Sequence, residues 1–163
     1  MLPLLSGGTG SELFFPKKKD TMPENRSVTH RSQVRVRYAD TDKMKIVYNG
    51  NYLIYFEIGR TELLRGCGLP YVELEKAGYL LPVLEAYARY KAPAVYDDLL
   101  DIYATYTLER TPTIRIEYII KRGEEELVSG YTSHAFVTAE GMKPVRPPKI
   151  FFDAIERTLA EQR

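Results

Sequence analysis

The sequence has few of the residues that build disulfides or metal sites. Its 163 residues include one cysteine, two histidines and no tryptophan. A single cysteine excludes an internal disulfide, and Cys67, His30 and His134 are too few for the usual zinc constellations. We therefore predict no metal and no redox cofactor, and a reducing cytoplasm as the natural setting.

Long apolar runs and a charge excess are also missing. No stretch approaches the roughly 18–20 apolar residues that are needed to span a bilayer. The short apolar start, residues 1–5, precedes the lysines at 17–19 instead of following them, which is not the order of a secretory signal. The formal net charge is +1, without the excess of a nucleic-acid-binding surface. We predict neither a membrane nor a nucleic-acid partner.

The N-terminal region differs in composition from the rest of the chain. Residues 1–30 are rich in Gly, Ser, Pro and Lys and show no sustained hydrophobic period. We interpret them as an N-terminal extension or tail, and we expect removal of residues 1–21 to leave folding and activity intact. Residues 31–163 are long enough for one domain with its own core.

An acidic loop and the long helix that follows it organise the domain. The acidic triplet at 40–42 comes directly after an alternating strand near 33–38. A helix is predicted over about 51–65, with Asn49 or Asn51 as its cap. Its first turns are apolar on nearly every side, which predicts burial. Two carboxylates ahead of free helical N–H groups are a plausible reaction site.

The chain after this helix alternates apolar and polar residues with a period of two. Four long, mainly antiparallel strands are predicted, at about 79–91, 102–108, 114–121 and 127–138. A short helix near 71–77 and a terminal amphipathic helix near 151–160 complete the pattern. We predict an α+β fold of the hot-dog type, in which a five-stranded antiparallel sheet wraps around one long central helix.

Several segments, in this order, resemble the signature of a known family. They are Asp40-Thr41-Asp42, Ile46-Val47-Tyr48, Asn51-Tyr52, Tyr55-Phe56-Glu57 with Arg60, residues 90–98, Thr132-x-His134 and residues 144–147. Together they are similar to the 4-hydroxybenzoyl-CoA thioesterase-like branch of the hot-dog acyl-CoA thioesterases, over about residues 33–148. The resemblance implies hydrolysis of an acyl-CoA, with coenzyme A as part of the substrate, by a homodimer or homotetramer.

The resemblance also implies roles for individual residues. Asp42 falls on the catalytic carboxylate, which acts as a nucleophile or as a base on a water. The amide region of Val47, Tyr48 and Asn49 falls on the segment that polarises the thioester carbonyl. Three cations in matching regions are expected to bind CoA: Lys91, Arg89 and Arg146.

Other assignments stay open at this point. Glu57 is the alternative catalytic carboxylate, and a structural ion pair with Arg60 is the competing interpretation. Tyr38 either hydrogen-bonds near the site or is a packed strand residue. Cys67 and His134 are expected to be packed residues without a catalytic role.

Two residues depart from the family pattern. Lys45 stands where a glycine is usual, and glycine permits backbone conformations that other residues adopt at a cost. Asn49 stands where a histidine or tyrosine is usual, and asparagine cannot shuttle protons near neutral pH. These departures keep open the alternative of a catalytically weak domain that binds acyl-CoA. A second alternative, a thioesterase for acyl-carrier protein, stays open because the sequence does not separate the two thioester donors.

Overall fold

The computed structural model describes residues 26–162, so most of the predicted extension lies outside the described residues. The helices are α1 Asn51–Gly66, α2 Tyr71–Lys76 and α3 Lys149–Glu161, and a 3-10 turn spans Tyr38–Asp40. The strands are β1 Ser27–Arg35, β2 Tyr79–Leu80, β3 Val83–Tyr90, β4 Leu99–Thr107, β5 Thr113–Arg122, β6 Glu125–Thr138 and β7 Pro144–Val145.

Five long strands form one antiparallel sheet in the order β1-β4-β5-β6-β3. The two-residue strands β2 and β7 pair with the C-terminal end of β6. Within the described residues β3 pairs only with β6, so its other side is an open edge. The prediction of an α+β fold with five long antiparallel strands is confirmed. The strand predicted over 79–91 is divided into β2 and β3, and β7 was not predicted.

The first strand begins earlier than the sequence indicated. Ser27 pairs with Thr107, and Val28 is almost completely buried. Thr29 and Thr105 share a hydrogen bond of 2.8 Å between their hydroxyl groups. Strand β1 therefore begins at Ser27, ahead of the alternation near residues 33–38, because short polar residues in this segment hid its pairing with β4.

Helix α1 packs against β1 and β4 and also contacts β3, β5 and β6. Phe56 stacks on Tyr118 with ring centroids 4.4 Å apart. At Gly59 the helix lies so close to the sheet that a Cβ atom would be 2.7 Å from Ile102 Cγ2. A larger residue at Gly59 would push α1 away from the sheet, and with it the site at its N-terminus.

Only one face of α1 is buried, which corrects the prediction of all-round burial. Tyr52, Tyr55, Phe56, Gly59, Leu63 and Leu64 form that face, at helical spacing. Leu53 and Ile54 point away from it and are 42% and 49% exposed.

None of the helices in residues 26–162 is long and apolar enough to cross a membrane.

Candidate active site

A cavity of about 420 Å³ opens between the acidic loop, the start of α1 and the end of β3. Asp42 lines it from the loop, and Asn49 lines it from the segment just ahead of the helix. Three aromatic rings add apolar wall: Tyr48, Tyr52 and Tyr90. The structure thus brings together the acid and the helix N-terminus that the sequence placed seven residues apart.

The Asp42 carboxylate is held by a tight turn. Its Oδ1 atom accepts a hydrogen bond of 2.7 Å from the amide of Met44. The turn is closed by Lys45 N–H donating to the Asp42 carbonyl at 2.9 Å and by Asp42 N–H donating to the Ile46 carbonyl at 3.0 Å. Within the described residues, Oδ2 accepts no hydrogen bond. One oxygen therefore orients the carboxylate, and the other keeps its hydrogen-bonding capacity.

Lys45 adopts the backbone conformation that a glycine would favour at this position. Its φ is +62°, in the left-handed region. For a residue with a Cβ atom this conformation costs roughly 1–2 kcal/mol. The departure from the family pattern at Lys45 therefore leaves the turn shape intact and adds local strain beside Asp42.

Asp40 has a different environment from Asp42. It is 3% exposed, and its Oδ1 accepts a hydrogen bond of 2.7 Å from Arg37 Nη2. Its Oδ2 accepts bonds from the Arg37 amide at 3.0 Å and from the Tyr55 hydroxyl at 3.1 Å. The hydrogen bonds from the Arg37 side chain are the largest cause that lowers the pKa of Asp40. Burial, followed by the Asp40 charge, raises the pKa of Tyr55. Asp40 is a structural anion that shapes the loop.

Backbone amides near the start of α1 are not equally available. Val47 N–H donates to the Ala94 carbonyl and Tyr48 N–H donates to the Asp40 carbonyl, both at 2.9 Å. Asn49 N–H has no acceptor within residues 26–162. The predicted amide region of residues 47–49 therefore contains one free donor, that of Asn49.

The helix begins with Gly50 as its N-cap and without a side-chain cap, which corrects the expected role of Asn49 or Asn51. Asn51 instead donates from its Nδ2 to the Asp40 carbonyl at 2.8 Å. Its own amide donates to the Tyr48 carbonyl at 2.9 Å. These contacts tie the helix start to the acidic loop.

The three predicted CoA-binding cations do not all line the same cavity in the described chain. Lys91 lines the cavity and forms an ion pair with Glu126. Arg89 lies two positions earlier and is exposed, outside the cavity lining. Arg146 follows β7 and lines a separate cavity of about 260 Å³. The register of β6 explains why Lys91 and Arg146 are separated. The Lys91 amide donates to the Leu127 carbonyl, whereas β7 pairs with β6 at Phe136. Leu127 and Phe136 are ~30 Å apart along β6.

Glu57 and Tyr38 lie outside the cavity lining. Glu57 is exposed, and no ion pair between Glu57 and Arg60 occurs in the described part of the chain. The predicted buried pair is therefore wrong, because Glu57 lies on the water-facing side of α1. Tyr38 is 80% exposed and packs edge to face on Tyr96, with centroids 5.9 Å apart.

A buried polar chain was missed by the sequence reasoning. The Thr132 hydroxyl lies 2.7 Å from the Tyr118 hydroxyl and 2.7 Å from His134 Nε2. Burial, with a smaller effect of the Arg60 charge, lowers the pKa of His134 to about 4. His134 is therefore neutral at pH 7.

Cys67 is buried, which raises the pKa of its thiol.

Sequence reasoning also missed Met44, Tyr52 and Tyr90 as cavity residues. A signal existed for Tyr90, because it precedes Lys91 and alternates with outward-facing residues of the same strand. Tyr52 was interpreted as ordinary helix core. No cluster of three or more His, Cys, Asp or Glu that could hold a metal occurs in residues 26–162.

Comparison with known proteins assigns the family. Residues 36–155 match the profile of the thioesterase-like superfamily. The chain belongs to this superfamily. Membership confirms the predicted resemblance to the 4-hydroxybenzoyl-CoA thioesterase-like family and the prediction of a thioester hydrolase.

Individual relatives cover most of the chain. YneP of Bacillus subtilis is 34% identical over 124 residues, which are 76% of this chain and 90% of YneP. The acyl-CoA thioesterase YbgC of Haemophilus influenzae is 35% identical over 117 residues, or 71% of this chain and 86% of YbgC. The structure of DHNA-CoA thioesterase from Staphylococcus aureus superposes with a TM-score of 0.75 at 25% identity. That match covers 82% of this chain and 93% of the other. These likenesses confirm the hot-dog fold.

Proposed function

We propose that this protein is an acyl-CoA thioesterase, which hydrolyses an acyl-CoA to the carboxylic acid and free CoA. The observation that carries the proposal is that the Asp42 carboxylate and the Asn49 segment with its free amide line one cavity. The superfamily and the activity named for YbgC support the reaction class. The rings of Tyr48, Tyr52 and Tyr90 line the cavity, and they provide an apolar surface against which the acyl group of the substrate would pack.

In the proposed mechanism the Asn49 amide binds the thioester carbonyl oxygen. A donor fixed at such an oxyanion can lower the barrier by about 3–4 kcal/mol. The positive end of the α1 dipole adds to this stabilisation. Because Asn49 acts through its backbone, the proposal does not require the histidine or tyrosine side chain that is usual at this position.

Asp42 supplies the carboxylate that drives bond cleavage. As a nucleophile its Oδ2 attacks the carbonyl carbon, a mixed anhydride forms and the CoA thiolate leaves. Water then hydrolyses the anhydride. As a base it takes a proton from a water that attacks the same carbon. A single turnover in H₂¹⁸O that places label in the Asp42 carboxylate identifies the anhydride, hydrolysed by water attack on the Asp42 carbonyl carbon. Label in the product acid alone is expected for the base route and also for water attack on the acyl carbon of an anhydride.

Lys91 is the cavity cation that we propose for the CoA portion of the substrate. Its ion pair with Glu126 shows that the Lys91 side chain is oriented beside the cavity wall. Substrate phosphate would then compete with the Glu126 carboxylate for this ammonium group. A Glu126→Gln variant is expected to lower KM for acyl-CoA, and Lys91→Ala is expected to raise it.

We further propose a homodimer as the active unit. The open edge strand β3 is eight residues long, and it carries the half-exposed side chains of Val83 and Leu84. An uncovered edge of this length and apolarity favours pairing with another chain. Light scattering is expected to give twice the monomer mass, and a proline at Ala86 is expected to shift it to monomer.

The test of the function is thiol release from short, long and aromatic acyl-CoAs. Wild type is expected to turn over at least one substrate, and Asp42→Asn is expected to abolish that turnover with its melting temperature unchanged. Asp153→Asn on α3, outside the cavity lining, is the matched control and is expected to behave as wild type.

Other outcomes decide between the alternatives. Turnover of acyl-carrier-protein thioesters in preference to acyl-CoA would identify the carrier protein as the donor. Binding of acyl-CoA without turnover would identify a binding domain. Turnover that survives Asp42→Asn but is lost in Glu57→Gln would move the catalyst to α1.

A further inference from the structure

Tyr90 joins the end of strand β3 to the start of helix α1. Its hydroxyl donates a hydrogen bond of 3.0 Å to the Asn49 carbonyl. Its ring packs edge to face on Tyr52, with centroids 5.5 Å apart. Among the described residues, no other side chain hydrogen-bonds to the backbone of Asn49 or Gly50. The mechanism proposed above gives Tyr90 no part beyond lining the cavity.

The carbonyl that Tyr90 binds belongs to the Asn49–Gly50 peptide group. The Tyr48 ring packs close to Gly50, since a Cβ atom there would lie 2.9 Å from Tyr48 Cε1. The amide of Tyr52 also donates to the Asn49 carbonyl, over a longer 3.3 Å. The backbone of Asn49 is therefore held at its carbonyl by Tyr90 and Tyr52, while its N–H belongs to the preceding Tyr48–Asn49 peptide.

The neighbouring Tyr48–Asn49 peptide is held differently. Its carbonyl accepts the Asn51 amide at 2.9 Å, a contact that forms with the helix itself. The helix start therefore fixes one side of Asn49, and a side chain from another element fixes the other. A hydrogen bond to one end of a peptide group also polarises the group and strengthens its neighbours in the chain.

We propose that Tyr90 is a positioning residue for the thioesterase reaction. Its hydroxyl fixes the Asn49 backbone so that the Asn49 amide points at the thioester carbonyl in the transition state. The inference rests on the proposed function, and it adds a residue whose effect passes through Asn49. Because Tyr90 lies on the open edge strand, it also links that edge to the reaction centre.

The test compares Tyr90→Phe with Tyr87→Phe. Both tyrosines lie on β3 and are about equally exposed, at 50% and 49%. Tyr87 stacks on Tyr131, and its hydroxyl has no hydrogen-bond partner within residues 26–162. Tyr90→Phe keeps the ring against Tyr52 and removes only the bond to Asn49.

Tyr90→Phe is expected to lower kcat about tenfold and to leave KM within about twofold, because the lost contact orients a transition-state donor. Tyr87→Phe is expected to match wild type in both constants. The amide ¹H–¹⁵N signals of Asn49 and Gly50 are expected to shift in Tyr90→Phe and not in Tyr87→Phe. Melting temperatures check that both variants are folded.

An unchanged kcat in Tyr90→Phe, or a rise in KM alone, would overturn the inference. Unshifted amide signals would also overturn it. If wild type itself lacks turnover on every thioester, the proposed function fails instead. The two failures are therefore distinguishable, since the amide signals report on Tyr90 without any substrate.

Discussion

Asp40 and Asp42 lie two residues apart in one loop, yet their carboxylates have different surroundings. Both oxygens of Asp40 are occupied, by Arg37 and by the Tyr55 hydroxyl, and the side chain is buried. Asp42 uses one oxygen to hold its own turn and keeps the other open to a cavity. A carboxylate with all its hydrogen-bonding capacity used is suited to structure, and one with capacity left is suited to chemistry.

The two residues are nevertheless coupled through the backbone. The Asp40 carbonyl accepts the Tyr48 amide at 2.9 Å and the Asn51 side chain at 2.8 Å. The structural acid thus sets where the helix begins relative to the loop that carries the reactive acid. Asp40 therefore determines the geometry in which Asp42 is proposed to act.

The substitution with the strongest effect on activity is expected to be Asp42→Asn, which tests whether the Asp42 carboxylate is reactive. Asp42→Asn keeps the acceptor for the Met44 amide and removes the negative charge. We expect a fall in kcat of roughly a thousandfold with little change in the free energy of unfolding. Acyl-CoA hydrolysis and urea denaturation measure the two quantities. A fall in the free energy of unfolding as large as that expected for Asp40→Asn would mean that Asp42 has a structural role, like Asp40.

A pH titration of stability tests another buried ionisable group, His134. The pKa of His134 is about 4 in the folded chain against 6.5 in the unfolded chain, so the unfolded state alone binds a proton between these values. We expect the free energy of unfolding to fall by about 3 kcal/mol as pH drops from 6.5 to 4.

His134→Gln is expected to flatten this pH window, and His30→Gln is the control that should retain it. An equal slope in His134→Gln and wild type would contradict the assignment. Asp40 acts in a separate window. Because its folded pKa is lowered, its contribution is present above the ordinary value of 3.8 and is lost as pH falls below it.

Asp40→Asn tests whether the Asp40 carboxylate stabilises the fold. The substitution removes the charge that Arg37 and Tyr55 surround, and we expect a loss of about 2 kcal/mol in the free energy of unfolding. The value lies below that of a fully buried pair because Arg37 is largely exposed. Urea denaturation measures it. Asp97→Asn, in an exposed turn, is the control that should stay near wild type.

Much of the fold follows from periodicity in the sequence. The alternation over 114–121 predicted β5, and the helical run at 51–65 predicted α1 to within one residue. The acidic loop ahead of α1 was also predicted as the site. These features are local, so a few neighbouring residues determine them.

The remaining features depend on contacts between distant segments. The burial of Asp40 requires Tyr55, and the occupied amide of Val47 requires Ala94. The separation of Arg146 from Lys91 follows from the register of β6. None of these pairings leaves a periodic trace, which is why the sequence named Lys91, Arg89 and Arg146 as candidates without indicating how far apart they lie.

The smallest expected effect concerns the turn that holds Asp42. Lys45→Gly places a residue without a Cβ atom at φ +62°, and we expect a gain of about 1 kcal/mol in the free energy of unfolding. Lys43→Gly, in the same turn but without a positive φ, is the matched control and is expected to lose stability. If the Lys45→Gly gain is accompanied by unchanged kcat, the strain at Lys45 is a property of the turn alone. A changed kcat with unchanged stability would instead mean that the Lys45 side chain acts on the substrate.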